Sequence, residues 1–91
     1  MDKDKVKNIL IESLDKVLVD SASDLKAEDI KNISEEIDSF DIVSLLLEIE
    51  MHIEKETGEY VTLANEDLFD SSKTPLKDWN SWILYVHNLL K

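Results

Sequence analysis

Several kinds of residue are rare or absent in this chain of 91 residues, and each absence excludes a class of function. There is no cysteine, so the chain has no disulfide, no thiolate metal site and no cysteine nucleophile, which is compatible with a reducing cytoplasm. A single glycine leaves no glycine-rich loop that could hold a phosphate. No run of 18 apolar residues occurs, and the charged N-terminus lacks the apolar core of a signal peptide. We therefore expect a cytoplasmic protein without a membrane span.

Basic residues are also few, with 10 Lys and Arg against 21 Asp and Glu and a formal net charge of −11 at pH 7. Nucleic acid is not an expected partner, because its phosphates require Lys and Arg. Basic protein surfaces are the expected partners of such an acidic chain. Hydrophobic residues make up 43% of the chain, too many for a disordered segment. A chain of this length predicts a single domain, 1–91, that buries about 60–65% of its unfolded surface. We expect a monomer with a modest core and no deep catalytic cleft.

Hydrophobic periodicity predicts an all-α fold with three longer helices. The first covers residues 3–19, where apolar side chains recur three or four positions apart, and Asp2 and Asp4 suit its start. The second covers residues 39–57, and Gly58 follows it in the place of a left-handed C-terminal cap.

The C-terminal third predicts a short third helix and a longer last one. Residues 65–69 have room for one short helix only, which Asn65 could cap. The last helix follows Thr74 as an N-cap and Pro75 at the first helical position, and it extends to Leu90.

The polar segment 25–37 is predicted to be a long first loop with room for a short helical turn. Four apolar residues are expected to pin it to the core: Leu25, Ile30, Ile33 and Ile37. Loops of this length are uncommon in small domains and often functional.

The second helix is predicted to be central, because apolar residues cover well over half of its circumference. These residues are Phe40, Ile42, Val43, Leu45, Leu46, Leu47, Ile49 and Ile53. The remaining stripe is predicted to be its one solvent-exposed face, and it consists of Asp41, Ser44, Glu48 and Lys55 with Met51 among them.

Asp38 and Ser39 begin this central helix. A serine in the first turn points its hydroxyl outward beside free backbone N–H groups, where the helix dipole favours an anion such as a phosphate. Ser39 is therefore a candidate for modification, although either Asp38 or Ser39 could simply be an N-cap.

Catalytic and metal-binding parts are missing around this serine. His52 is about 20 Å from Ser39 by helix rise, and His87 lies in the last helix, so neither supports a serine–histidine nucleophile pair. The acidic residues follow no calcium-loop spacing, so no metal site is predicted. We expect no catalytic residues and no enzymatic activity.

Residues 38–50, with the sequence Asp-Ser-Phe-Asp-Ile-Val-Ser-Leu-Leu-Leu-Glu-Ile-Glu, resemble the Asp-Ser-Leu motif and second helix of acyl carrier proteins. Phe40 in place of the usual Leu is also similar to D-alanyl carrier proteins and other stand-alone carriers. The pattern of helices is similar over essentially all 91 residues, whereas the specific part is confined to about residues 37–50. The resemblance implies a four-helix bundle of acyl-carrier type, with three longer helices, a short third helix and a long first loop.

The same resemblance implies a function and a cofactor. A phosphopantetheinyl transferase would join 4'-phosphopantetheine from coenzyme A to Ser39 Oγ, and the thiol of this arm would hold an acyl or aminoacyl group as a thioester. Asp38 would cap the helix and help the transferase to bind its metal. Phe40 would pack near the root of the arm and under the long loop. The chain would then deliver its cargo to partner enzymes in lipid or fatty acid biosynthesis, with a specialised lipid or secondary-metabolite pathway preferred.

Departures from the family pattern define the expected docking face. Glu36 replaces a glycine often found two residues before the Asp, and Ser44 and Met51 stand where acidic recognition residues are usual. Glu48 adds a charge where a small apolar residue is frequent. The predicted partner-docking face consists of Asp41, Ser44, Glu48 and Met51. We expect it to bind basic patches on the enzymes that load and use the acyl group. Housekeeping fatty-acid enzymes are expected to bind it weakly.

The cargo stays open at this point, among fatty acyl chains, specialised lipid or polyketide intermediates, and D-alanine or another amino acid. The interior could hold a chain or be filled by Tyr60, Phe69 and Trp79; Trp79 is expected in the core and Trp82 partly exposed. Two other functions remain: an acidic helical interaction module without a prosthetic group, in which Ser39→Ala would lose about 1 kcal/mol of stability, and a small hydrolase that uses Ser39.

Overall fold

Within residues 2–21, 24–63, 66–70 and 73–90, which it describes, the computed structural model contains four α-helices and no strand. The helices are α1 (Lys3–Asp20), α2 (Ile33–Glu36), α3 (Ser39–Thr57) and α4 (Trp79–Leu89). Single turns of 3-10 helix cover Ala27–Asp29, Glu66–Phe69 and Pro75–Lys77. The all-α prediction is confirmed. None of the helices in these ranges has the length and apolar character needed to cross a membrane.

The two longest helices begin and end where the sequence predicts, to within one residue. Asp2 caps α1, and its side chain accepts a backbone N–H of the first turn. α3 begins at Ser39 and ends at Thr57. Gly58 then adopts the left-handed conformation, with φ of 76°, and donates its N–H to the carbonyl of Glu54 at 2.8 Å. Glycine suits this position because any side chain strains a positive φ.

α1 and α3 pack against each other in antiparallel directions. Two ion pairs connect them, Lys5 with Glu56 at an N–O distance of 2.9 Å and Lys16 with Glu48 at 3.0 Å. Between these, the His52 imidazole lies 4.0 Å from the Glu12 carboxylate. From one pair to the next, the residue number increases in α1 and decreases in α3, as antiparallel packing requires. These pairs are exposed to solvent, so the packing depends mainly on the apolar side chains beneath them.

Trp82 of α4 lies in the core, and Trp79 lies at its edge. Trp82 is fully buried and stacks on Tyr85, with ring centroids 5.7 Å apart. Trp79 is half-buried and donates its Nε1–H to the carbonyl of Ile30 at 2.6 Å. The predicted placement of the two tryptophans is therefore wrong. Apolar side chains occupy neighbouring positions of α4, so the periodicity does not decide which tryptophan faces the core. Asp78, with a φ of −154° and a ψ of 160°, also interrupts the helix that the sequence predicts to be continuous.

The start of the last helix differs from the prediction for the same reason. Thr74 caps only the 3-10 turn that contains Pro75, and its Oγ1 accepts the N–H of Leu76 at 3.1 Å. Asp78 caps α4 itself, with Oδ1 accepting the N–H of Ser81 at 2.7 Å.

The segment between α1 and α3 follows the predicted loop in outline, with α2 as a single helical turn inside it. Three of the four predicted anchors are buried: Ile30, Ile33 and Ile37. Leu25 is exposed, whereas Ala27 is fully buried. Asp15 of α1 fixes Ala27 in place, because its Oδ1 accepts the Ala27 N–H at 2.8 Å.

A buried carboxylate fastens the segment that follows α3. Glu50 is 4% exposed; its Oε1 accepts the Tyr60 O–H and its Oε2 accepts the Leu63 N–H, both at 3.0 Å. The bond to this carboxylate raises the pKa of Tyr60. Leu63 also contacts α4, because its backbone carbonyl accepts the O–H of Tyr85 at 3.3 Å. Glu50 therefore links residues 59–63 to the central helix.

The predicted short third helix is a 3-10 turn, Glu66–Phe69, and its predicted cap Asn65 lies outside the described residues. Tyr60 and Phe69 are at least half exposed. Neither of them fills the interior, and Trp82 occupies the core instead.

Candidate functional site

Asp38 caps α3, and Ser39 is the first residue of the helix. The Asp38 Oδ1 accepts the N–H of Asp41 at 3.0 Å, and the Asp38 carbonyl accepts the N–H of Ile42 at 3.0 Å. Ser39 is exposed, and its hydroxyl makes no hydrogen bond within the described part of the chain. The cap is therefore Asp38, and the Ser39 hydroxyl faces solvent.

The electrostatics at this point favour an anion on Ser39 Oγ. The first N–H groups of a helix have no intrahelical acceptor, and Asp38 occupies only the N–H of Asp41. The N–H groups of Ser39 and Phe40 stand at the positive end of a helix of 19 residues. The carboxylates of Asp38 and Asp41 oppose an anion, and at this exposed end solvent and salt weaken both this repulsion and the attraction of the dipole, so the free N–H groups are the main favourable contacts.

The turn before Ser39 is held tightly. Only residues 37 and 38 separate α2 from α3, and Ile37 is buried. The Glu36 Oε2 accepts the N–H groups of Lys31 and Asn32 at 3.0 and 2.8 Å, which lowers the pKa of Glu36. Sequence reasoning noted Glu36 only as a departure from the family pattern and missed this role. The sequence feature that could have indicated this role is an acidic residue four positions after Asn32, which caps a helical turn.

A cavity of about 150 Å³ opens beside Ser39. Its apolar walls are Ile37, Ile42, Leu68 and Phe69. Three hydroxyl-bearing residues complete the lining: Ser34, Ser39 and Thr74. The Ser34 hydroxyl donates to Asn32 Oδ1, and Thr74 Oγ1 accepts the N–H of Leu76. Of these three hydroxyl groups, only that of Ser39 makes no hydrogen bond to a residue that the structure describes.

Phe40 does not pack under the first loop. Its side chain is 86% exposed, so the predicted packing under the loop is wrong, whereas its place near the root of an arm stays a prediction. The helical register explains this, because Ile42 and the buried residues of α3 turn toward the core and leave Phe40 on the opposite side.

The predicted docking residues do lie together. Asp41, Ser44, Glu48 and Met51 all line one wall of a groove of about 430 Å³ between α3 and the end of α1. The facing wall was not anticipated, and it consists of Val17, Asp20 and Ser21.

One charge of this groove is already paired within the chain. Lys16 Nζ lies 3.0 Å from Glu48 Oε1, and this contact raises the pKa of Lys16. The acidic character of the groove therefore depends mainly on Asp20 and Asp41.

An apolar stripe runs beside the groove, where the sequence predicted the polar face alone to be exposed. The stripe consists of Phe40, Val43, Leu47 and Met51, all exposed and spaced three, four and four residues apart. The core covers only the opposite side of α3, which carries Ile42, Leu45, Leu46, Ile49 and Ile53. A helix that is apolar around most of its circumference does not reveal from its sequence which side stays uncovered. The exposed face of α3 is therefore mixed, acidic on one edge and apolar on the other.

Neither histidine belongs to the lining of the cavity beside Ser39. His52 faces Glu12 with an N–O distance of 4.0 Å, and His87 lies in the last turn of α4. Within the ranges that the structure describes, no three His, Cys, Asp or Glu side chains are grouped closely enough to hold a metal ion.

Comparison of the chain with protein-family models, with curated proteins and with solved structures yields no match. The candidate site is thus defined by its own geometry. It combines an exposed serine hydroxyl at the positive end of a long helix, a small cavity beside that serine, and a mixed acidic and apolar face along the same helix.

Proposed function

We propose that this protein is a carrier that holds an acyl or aminoacyl group on a 4'-phosphopantetheine arm attached to Ser39. The observation that carries the proposal is the exposed hydroxyl of Ser39, the first residue of α3, which has no hydrogen bond to any residue that the structure describes, while Asp38 already serves as the cap. A serine needed for the cap would have its oxygen occupied by a backbone N–H, and this one has its oxygen available. The resemblance of residues 37–50 to acyl carrier proteins supports the same assignment.

Attachment of the arm requires one substitution at phosphorus inside a transferase. Ser39 Oγ loses its proton to a base of the transferase and forms a bond to the phosphorus that bears pantetheine in coenzyme A. The bond from that phosphorus to the bridging oxygen of the pyrophosphate breaks, and the adenosine bisphosphate portion leaves. When bound, the arm supplies a thiol, which the chain itself lacks.

The residues around Ser39 have distinct tasks in this proposal. The N–H groups of the first turn stabilise the phosphodiester, and Asp38 keeps the helix start in place. Phe40 offers an apolar contact at the root of the arm or to the transferase. The groove and the stripe on α3 suit loading and acyl-using enzymes that surround an apolar contact with basic side chains.

The test is the mass of the protein after incubation with a transferase of broad specificity and coenzyme A. The wild type should gain one phosphopantetheine, and Ser39→Ala should gain none. Ser81→Ala is the matched control, because it removes a serine hydroxyl from the first turn of another helix, α4, outside the groove, and should leave modification intact. Circular dichroism of each variant checks that the helices are retained. An unmodified wild type would overturn the proposal.

One observation favours a second candidate, an acidic interaction module without a prosthetic group. The exposed stripe and the acidic groove could bind a basic partner whether or not Ser39 carries anything. In that case Ser39→Ala would leave partner binding unchanged, and the native protein would show no added mass on Ser39.

A further inference from the structure

We propose that Lys16 of α1 determines which basic partners bind the partner-docking face of α3, because it neutralises Glu48 in the middle of that face. The inference rests on the proposed carrier function and names the chemistry of its partner. This partner is an enzyme whose basic side chains are concentrated near Ser39 rather than spread along the whole helix. The support comes from the packing of α1 on α3, from the exposure of the ion pair and from the order of charges along the two helices.

The packing of α1 on α3 places Lys16 opposite Glu48. Lys16 Nζ lies 3.0 Å from Glu48 Oε1. A second pair, Lys5 with Glu56, lies further along the same antiparallel junction at 2.9 Å. Exposed ion pairs contribute little stability, so the packing of the helices, and not the pair itself, holds Lys16 at this position. Lys16 therefore stays beside Glu48 even when solvent loosens their contact.

Lys16 also covers the carboxylate that it neutralises. The Glu48 side chain is 26% exposed, whereas that of Lys16 is 58% exposed. A basic side chain of a partner would have to displace the Lys16 ammonium in order to pair with Glu48. This exchange replaces one exposed ion pair by another and gains little. Glu48 is therefore a poor contact for a basic partner, although it stands in the middle of the partner-docking face.

The groove at the Ser39 end of this face is acidic. Its lining includes Asp41, in the first turn of α3, and Asp20, the last residue of α1. Asp20 also lies one turn from Lys16, but the hydrogen bond of Lys16 goes to Glu48. The basic side chains of a partner therefore find carboxylates here, beside the start of the helix.

An adjoining depression, further along α3, has a local positive charge. Its lining consists of Lys16, Glu48, Met51, His52 and Lys55. Because the charges of Lys16 and Glu48 cancel, that of Lys55 remains. Glu12 faces His52 at 4.0 Å but does not belong to this lining. A uniform row of basic side chains would thus be attracted near the start of α3 and repelled at this depression.

The net charge of the chain does not make this selection. A charge of −11 attracts every basic molecule at long range. Salt screens exposed charges beyond about 8 Å at physiological ionic strength, so selection depends on the charges in contact with the partner. Lys16 changes the charge at one such contact and leaves the apolar stripe beside it unchanged.

The experiment uses two fluorescently labelled amphipathic peptides of identical composition and charge, made of leucine, glutamine and arginine. In the clustered peptide the arginines occupy one end of the polar edge, and in the uniform peptide they are evenly spaced along it. Fluorescence anisotropy measures the affinity of each peptide for the full chain. The wild type should bind the clustered peptide about two- to fivefold more tightly, as expected for one exposed charge contact. Lys16→Gln should remove this preference, because Glu48 then becomes available.

Lys5→Gln is the matched control. It changes the net charge by the same amount and breaks the other ion pair between α1 and α3, but Lys5 lines neither the groove nor the adjoining depression. The preference for the clustered peptide should therefore keep its wild-type value. Glu48→Gln is the reverse variant: it leaves the charge of Lys16 uncompensated and should increase the preference. Circular dichroism checks that each variant retains its helices.

Methyl chemical shifts locate the bound peptide. In the wild type the uniform peptide should shift the methyl signals of Val43 and Leu47 more than that of Met51, and in Lys16→Gln the Met51 shift should increase. Equal affinities of the two peptides for the wild type, an equal effect of Lys5→Gln, or shifts away from α3 would overturn the inference. The peptides need no arm, so an unmodified Ser39 would overturn the carrier function by a separate measurement.

Discussion

Asp38 and Ser39 divide two tasks at the start of the central helix. Asp38 binds the backbone N–H of Asp41, and Ser39 presents its hydroxyl to solvent. Because the tasks belong to different side chains, substitutions should separate them. Stability should depend on Asp38, and modification should depend on Ser39.

Asp38→Ala should lower the free energy of unfolding by about 1 kcal/mol, because one N–H of the first turn loses its acceptor. Ser39→Ala should change it by less than about 0.5 kcal/mol, since no described hydrogen bond is lost. Urea unfolding followed by circular dichroism measures both. Asp38→Asn is the control, because Asn caps as well as Asp. A loss of about 1 kcal/mol in Ser39→Ala would identify Ser39 as the cap and contradict this division.

At the scale of the element, Glu50 sets how residues 59–63 lie against α3. Its carboxylate is buried and receives two hydrogen bonds, from the Tyr60 hydroxyl and the Leu63 backbone. The two donors differ in exposure, because Tyr60 is open to solvent and Leu63 is fully buried. The two bonds should therefore differ in their contribution to stability.

Glu50→Ala should lower the free energy of unfolding by about 1–3 kcal/mol, because the buried N–H of Leu63 is left without an acceptor. Tyr60→Phe should have a smaller effect, since it removes only a hydroxyl that water can otherwise satisfy. Urea unfolding of both variants provides the comparison. Equal losses would show that the buried N–H is not the critical group.

The elements also show how far sequence reasoning reaches. The spans of α1 and α3, the Asp2 cap and the Gly58 cap follow from local periodicity and cap chemistry, and the structure has them as predicted. The two tryptophans were exchanged because apolar residues occupy neighbouring positions of α4, so its periodicity does not show which one faces the core. The interruption at Asp78 was missed because a three-residue turn leaves no periodic signal. Local rules thus predicted the long helices and missed a short interruption.

The same limit applies to the candidate site. The place of Ser39 in the first turn of α3 followed from the residues around it. The cavity did not, because its lining comes from three segments, near residues 34–42, 68–69 and 74. Only tertiary packing brings these segments together, so no local pattern could predict a cavity or its volume.

At the scale of the whole molecule, the net charge of −11 opposes the folded state. Negative charges are closer together in the compact chain than in the unfolded one. The charged pairs between α1 and α3 offset only part of this repulsion, because they are exposed.

Sodium chloride should therefore raise the thermal unfolding midpoint between about 20 and 300 mM, since it screens repulsion over distances near 10 Å. Thermal unfolding followed by circular dichroism measures the shift. Lys16→Glu replaces a paired cation with another anion, so its midpoint should increase more steeply with salt. A midpoint that falls with salt would mean that attractive pairs outweigh the repulsion.

The apolar stripe on α3 has a consequence for the behaviour of the protein in concentrated solution. The stripe is an exposed apolar surface that would favour self-association of the chain, and it consists of Phe40, Val43, Leu47 and Met51. The uniform negative charge acts as a colloidal barrier, because two like-charged copies repel each other before their stripes meet. A basic partner meets no such barrier. We therefore expect the net charge to favour contact of the stripe with basic molecules over contact between two copies of the chain.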